Sequence, residues 1–254
     1  MSHDEMFVAS LRNRIRAMNT LWERAISDMT LEQLNHHERA GVLPIAFSFS
    51  HYIRSQDQSI SAIFLGEPPL WQQGGWAAKV GVTVDALGRE ETVEQMEHQR
   101  FGDLDAWKAY QSGVIARTSR VLETLTADRL AEVVLPQLPP NMQNIFCALV
   151  IGPGAPLRRL DVLECFVYQH GLRHMGEVEH GRALETLTAD RLAEVVLPQL
   201  PPNMQNIFCA LVIGPGAPLR RLDVLECFVY QHGLRHMGEV EHGRALVGLG
   251  GMTS

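Results

Sequence analysis

Residues 122–183 recur letter for letter as residues 184–245, so that Leu122-Glu123-Thr124-Leu125 reappears as Leu184-Glu185-Thr186-Leu187 and His170 as His232. Evolved repeat architectures drift in sequence while keeping their packing positions, whereas this pair keeps its exposed residues as well. The duplication is therefore recent, engineered or an artefact. Removing one 62-residue copy from the 254-residue chain leaves a 192-residue parent that runs from Met1 through one Arg182-Ala183 to Leu246 and Ser254. That parent sets the expected fold, and the second copy must find a place against it.

A parent of this length supports one well-buried domain. Its 46% hydrophobic and 20% charged residues are the balance of an ordinary globular chain. The net charge of −7 argues against a phosphate-tracking surface, which needs clustered Lys and Arg, so nucleic acid is not expected as a partner. No stretch of about 18 apolar residues occurs, and Met1-Ser2-His3-Asp4-Glu5 has no basic region leading into an apolar run. No membrane partner and a cytoplasmic location are expected. The four cysteines are two positions counted twice, Cys147 with Cys209 and Cys165 with Cys227, without a CxxC pair. They read as buried reduced thiols.

Phe7, Leu11, Met18, Trp22, Ala25 and Met29 repeat at three-, four- and seven-residue steps, which predicts a first helix over 4–29. Thr30-Leu31-Glu32-Gln33-Leu34 reads as a capped short turn, and Pro44 suits the start of a second helix that Gly66 can end. Residues 66–100 contain Pro68-Pro69, Gly74-Gly75, Gly81 and Gly88, a long connection of the kind that shapes a pocket. Trp107, Tyr110, Val114, Val121 and Leu125 mark a third helix from about Asp103. Leu135-Pro136-Gln137-Leu138-Pro139-Pro140 cannot be helix interior, because each proline removes a donor and clashes with the preceding turn. From Leu157 to Leu184, the residues Leu160, Leu163, Val167, His170, His174, Val178 and Gly181 share one arc of a fourth helix at about 100° per residue. Four amphipathic helices without an alternating strand pattern predict an all-α, antiparallel four-helix bundle over residues 1–183. Residues 184–246 are then the duplicate of the last loop and helix, and 247–254 a tail.

His170 and His174 stand four apart, so a helix brings both imidazoles to one face, where their nitrogens can converge on one metal ion. Either histidine can instead be a solvated or hydrogen-bonded helix residue. Here the pair continues the core stripe, where unpartnered imidazoles cost desolvation that a metal or a hydrogen bond would offset. Gly171 stands where an HExxH metallopeptidase has its glutamate, which argues against that chemistry.

Ser50-His51-Tyr52-Ile53-Arg54 leading to Leu65-Gly66, Tyr168-Gln169-His170-Gly171-Leu172-Arg173-His174-Met175-Gly176-Glu177, and the closing Arg182-Ala183-Leu184 together resemble the DinB-like (damage-inducible) superfamily. The resemblance spans the parent chain. It implies a four-helix bundle in which three histidines, one early in helix two and an HxxxH pair in helix four, hold zinc or nickel. The implied ligands are His51, His170 and His174, with His232 and His236 matching the pair in the second copy. Relatives include thiol-dependent transferases and isomerases. The function implied is a metal-dependent transferase or hydrolase using a small-molecule thiol or water against a small electrophile. The alternative is a non-catalytic metal-stabilised binding or stress-response protein. DinB-like proteins are commonly dimers, which implies a homodimer here, possible by domain swapping.

Periodicity alone does not select His51, which points away from Ala46, Phe49, Ile53, Ile60 and Phe64, the stronger apolar stripe of helix two. A helix buried on two faces reconciles this, one face carrying Phe47, His51, Ala62 and Leu65 toward the site. Glu177 and its copy Glu239 lie one turn from the HxxxH pair and are candidates for hydrogen-bond acceptor or proton carrier. A solvated surface glutamate is the expected fate of both. Tyr52, Trp71 and Trp76 are candidates for the pocket mouth, although core aromatics are commoner. His180 and His242 fall off the inward arc.

One bundle has one slot for helix four. Using the second copy would lengthen the connection from helix three from about 35 to about 97 residues, a closure cost on the order of 1 kcal/mol. The first copy is therefore expected in the slot. The displaced helix, roughly Leu219 to Leu246, would expose an apolar stripe that includes Leu222, Leu225, Phe228 and Val229 and would favour self-association.

Overall fold

The computed structural model describes residues 2–37, 40–87, 91–138, 146–185 and 232–246. The described chain is mostly helical. Helix α1 (His3–Ser27) starts on a capping box: the Ser2 hydroxyl accepts from Glu5 N at 3.1 Å and the Glu5 carboxylate accepts from Ser2 N at 2.7 Å. The short α2 (Leu31–Asn35) starts on the same device built from Thr30 and Gln33. Pro44 caps α3 (Ile45–Gln58), which continues as a π turn over Ser59–Leu65 and ends at Gly66 with a left-handed φ of 74°.

The long connection holds three short helices, α4 (Leu70–Gln73), α5 (Trp76–Val80) and α6 (Val93–Met96). Asp103 caps α7 (Leu104–Glu123), which is followed by α8 (Ala127–Ala131). The proline-rich break contains α9 (Phe146–Ile151). Helix four is built from α10 (Arg159–Asp161), a π turn over Val162–Gln169, and α11 (His170–Glu185). The second copy contributes α12 (His232–Leu246), which lies along α11.

Among the described residues, the all-α expectation departs from the structure in one place. Strand β1 (Val133–Leu135) pairs antiparallel with β2 (Leu157–Arg158) and closes the loop that leads into helix four. Strands of three and two residues are too short to show the alternation by which a sequence announces a strand.

Elements α1, α3, α7 and α11 share one apolar core. Leu11, Ile15, Met18 and Trp22 from α1 meet Phe49, Tyr52 and Ile53 from α3, Trp107 and Tyr110 from α7, and Leu172, Met175 and Val178 from α11. Trp22 stacks on Tyr52 with centroids 4.5 Å apart, and its indole N–H donates to the Gly171 carbonyl at 3.2 Å. Gln56 donates to Asn19 Oδ1 at 3.1 Å and to Thr118 Oγ1 at 2.9 Å, so one buried amide joins α3 to α1 and α7. A smaller cluster places Leu138, Cys147, Leu157, Cys165 and Phe166 on the other side of the π turn of helix four. Cys147 and Cys165 are free and buried, and the contact with Cys147 together with burial pushes the Cys165 thiol up, which disfavours the thiolate. Cys209 and Cys227 lie outside the described residues, as do Leu222, Leu225, Phe228, Val229 and the tail.

The two π turns explain where a steady step of about 100° per residue loses phase, since an i→i+5 turn inserts an extra residue and rotates everything beyond it. Val162, Leu163, Cys165, Phe166, Val167, Tyr168 and Gln169 are all buried, so this stretch is covered on every side rather than on one arc. The same effect carries Leu65 away from the face of His51 and into a separate cavity beside Arg117 and Arg120.

Asp57 fixes the long connection to α3. Its buried carboxylate accepts from Ser61 Oγ at 2.9 Å, Leu70 N at 3.0 Å, Trp71 N at 2.9 Å and Tyr110 Oη at 2.9 Å. Asp57→Ala would strand those donors in a dry interior. It should lower the unfolding free energy by about 3 kcal/mol, read as a shifted urea midpoint at unchanged slope.

Candidate metal centre

Three imidazoles from two helices converge at one point. His170 Nε2 lies 3.1 Å from His51 Nε2 and 3.0 Å from His174 Nε2, and all three ligand atoms lie within 4.8 Å of one another. His51 comes from α3, and the HxxxH pair comes from the first turn of α11. The spacing is what two nitrogens need around one tetrahedral ion, which puts ligand atoms about 3.3 Å apart at metal–nitrogen distances of about 2.0–2.1 Å.

The tautomers follow from the far side of each ring. His51 Nδ1 meets the Leu87 carbonyl, so that nitrogen carries the proton and Nε2 keeps its lone pair. His174 Nδ1 donates to Glu177 Oε2 at 2.7 Å, with the same result. Two lone pairs therefore face His170 Nε2, whose single proton can satisfy at most one of them. A cation satisfies all three, so the donor set fits a metal ion on chemistry as well as on spacing. His51 and His170 are half-buried, and His174 is 7% exposed.

The rings of His51 and His174 are each held by a chain of contacts. The Glu177 carboxylate also accepts from Ser48 Oγ at 3.0 Å, and Ser48 stands one turn before His51 on α3. Burial pushes the Glu177 carboxyl up, but His174, Arg173 and the Ser48 hydroxyl outweigh it and hold the group at about 2. The expected solvated glutamate is thus corrected for Glu177: an imidazole proton and a serine hydroxyl both point at it. On α3, Arg54 donates to the Ala86 carbonyl at 2.9 Å and to Asp85 Oδ1 at 2.8 Å, and its guanidinium lies over Trp71 at 4.3 Å. Trp71 Nε1 donates to the same Asp85 oxygen at 2.9 Å. These bonds fix the loop whose next carbonyl, Leu87, orients His51.

Gly171 is required by the same packing. A Cβ there would lie 2.2 Å from Met18 Sδ and 2.5 Å from the Tyr52 hydroxyl, so the position that would carry an HExxH glutamate is sealed against α1 and α3. Tyr52 is fully buried, donating to the Val167 carbonyl at 3.2 Å, and Trp71 is in the core; neither forms an open mouth. Phe47 stacks on His51 with centroids 5.4 Å apart. In the second copy, His236 Nδ1 meets Glu239 Oε2 as His174 meets Glu177, but among the described residues the metal-competent cluster is His51, His170 and His174. The side chains of His180, His232 and His242 lie outside those described.

Sequence reasoning missed Ser48, Arg54, Asp85 and Leu87. Two of them carried a signal, since Ser48 and Arg54 stand three residues either side of His51 and so share its helical face.

The DinB superfamily model matches residues 14–178, which take in all three histidines. The chain belongs to the DinB superfamily. The fold of this DinB-superfamily chain is also similar to the crystal structure of a conserved protein from Enterococcus faecalis, with 18% identity, a TM-score of 0.55, and coverage of 72% of this chain and 97% of that one. No curated protein matches the sequence significantly. Among the described residues, no helix is long and apolar enough to cross a membrane.

Removing the acceptor behind a metal-binding imidazole ordinarily weakens the metal 10- to 100-fold. Glu177→Ala should therefore lower zinc affinity by about 10- to 100-fold in a chelator competition, and Glu239→Ala should leave it unchanged.

Proposed function

We propose that this protein is a metal-dependent enzyme on a DinB-type four-helix bundle, in which His51, His170 and His174 hold one zinc or nickel ion. In this reading it joins a low-molecular-weight thiol, or water, to a small electrophile. The observation that carries the reading is the convergence of three Nε2 atoms, two of which, on His51 and His174, belong to rings whose opposite nitrogens are already engaged. When bound, such an ion supplies a Lewis acid with an open position that lowers the pKa of a water or thiol placed there.

The chain's own residues then do three things. The Leu87 carbonyl and Glu177 engage the far nitrogens of His51 and His174, which turns Nε2 of both rings toward the cluster. Ser48 holds the Glu177 carboxylate in place. Phe47 and Tyr52 wall two sides of the cluster, Phe47 stacked on His51 and Tyr52 edge-on to His170 at 5.7 Å, so a substrate approaches past the half-buried His51 and His170. In this reading the reacting thiol is a substrate, since Cys147 and Cys165 are buried in the smaller apolar cluster rather than among the histidines.

The two copies make the test specific. His170→Ala with His174→Ala should abolish stoichiometric metal and all conjugation across a panel of thiols and small electrophiles. His232→Ala with His236→Ala should leave both intact. Full metal occupancy after loss of the first pair would sink the assignment of the site. Stoichiometric metal without turnover across the panel would leave the site standing and move the function to a metal-stabilised binding protein.

A further inference from the structure

Three arginines of the bundle are each matched closely to an acid: Arg14 meets Glu164 at 3.0 Å, Arg54 meets Asp85 at 2.8 Å and Arg159 meets Glu132 at 2.8 Å. Elsewhere that matching fails. A cavity of about 240 Å³ lies where the π turn that continues α3 meets the end of α7 and the start of α8, and three arginines line it, Arg117 and Arg120 from α7 and Arg129 from α8. Among the described residues the one acid that lines it is Glu67, which comes only within 3.8 Å of Arg117 and is more than half exposed. Three guanidiniums against one carboxylate leave two positive charges, in a chain whose net charge is −7.

Two of the guanidiniums are held in place with donors to spare. The Arg117 side chain is only 11% exposed, and its Nη1 donates to Ser61 Oγ at 2.7 Å and to the Pro68 carbonyl at 3.3 Å. Among the described residues nothing engages its Nη2, which carries two further N–H donors. Arg129 lies over the Phe64 ring at 5.2 Å and donates to Thr124 Oγ1 at 2.8 Å, again through Nη1. Arg120 stands exposed at the rim. The dipole of α7 accounts for a cation in its last turn, where Arg120 stands. It does not account for Arg117, a turn further in, or for Arg129 on another helix.

We propose that this cavity is an anion-binding site for a small phosphate monoester. A monoester carries close to two negative charges at pH 7, which matches the excess of guanidinium over carboxylate. Guanidinium donors bond phosphate oxygens more strongly than neutral donors do. Leu65 and Val121 give the cavity an apolar wall for the organic group. His51 stands on the same continuous helix as Leu65, roughly 20 Å along the axis at about 1.5 Å per residue, so this site is separate from the histidine cluster.

Calorimetric titration of the full-length chain with glycerol 3-phosphate tests the proposal, with helicity as the folding control. Saturable one-to-one binding is expected at millimolar ligand or below. Arg120→Glu, at an exposed position, and Arg117→Gln should each weaken it by about 10-fold or more. Both residues precede the duplicated segment, so neither substitution leaves a second copy behind. His170→Ala with His174→Ala should leave the affinity unchanged. Undiminished binding in either folded arginine variant would overturn the proposal, as would the absence of saturable binding. Loss of binding with the histidine pair would overturn it too, by placing the phosphate on the metal. Equal affinity for succinate would overturn the choice of phosphate.

Discussion

The close approach of helix four to α1 and α3 at Gly171 governs the rest of the molecule. Met18 and Tyr52 occupy the space a side chain would need, and Trp22 bonds the Gly171 carbonyl. With the backbone pinned there, the residue immediately before Gly171 and the one a turn later have little freedom, and those residues are His170 and His174. The core contact and the metal-competent cluster are thus one constraint seen from two sides. A larger residue at 171 would force apart the helices that bring His51 to the pair.

How much of this is readable in the sequence follows from the range of each interaction. The HxxxH spacing is local, so helix geometry alone brings His170 and His174 to one face. The caps are local too, and Ser2, Thr30, Asp103 and Gly66 stand where helix ends require them. His51 is different, because the apolar stripe of α3 runs through Ala46, Phe49 and Ile53 while the histidine stands on another face that the fold also covers, and a stripe on one face does not announce burial of a second. It came from resemblance to a family. The Leu87 carbonyl was beyond reach in principle, since a backbone acceptor leaves no mark in the sequence. The π turns lay beyond reach because a steady rotation per residue is the premise of a periodicity argument.

Local and tertiary contributions separate cleanly because the chain carries the same letters twice. On α12 the His236–Glu239 contact forms just as His174–Glu177 does on α11, so the helix alone builds the clamped imidazole. Beyond that the copies diverge. Met175 is sealed while Met237 is exposed, and His174 is 9% exposed in its side chain against 38% for His236. Environment rather than sequence decides which copy is core.

The third ligand is what turns a local motif into a centre. A helix offers two imidazoles one turn apart wherever the letters occur, and two nitrogen donors leave a zinc ion half-coordinated. His51 is supplied once, by α3, and its ring is aimed by a loop that Arg54, Asp85 and Trp71 hold in place. Duplicating helix four copied the cheap half of the site and none of the expensive half. One chain with four candidate ligands on two copied helices therefore carries one three-histidine cluster among its described residues, at the copy that reaches α3.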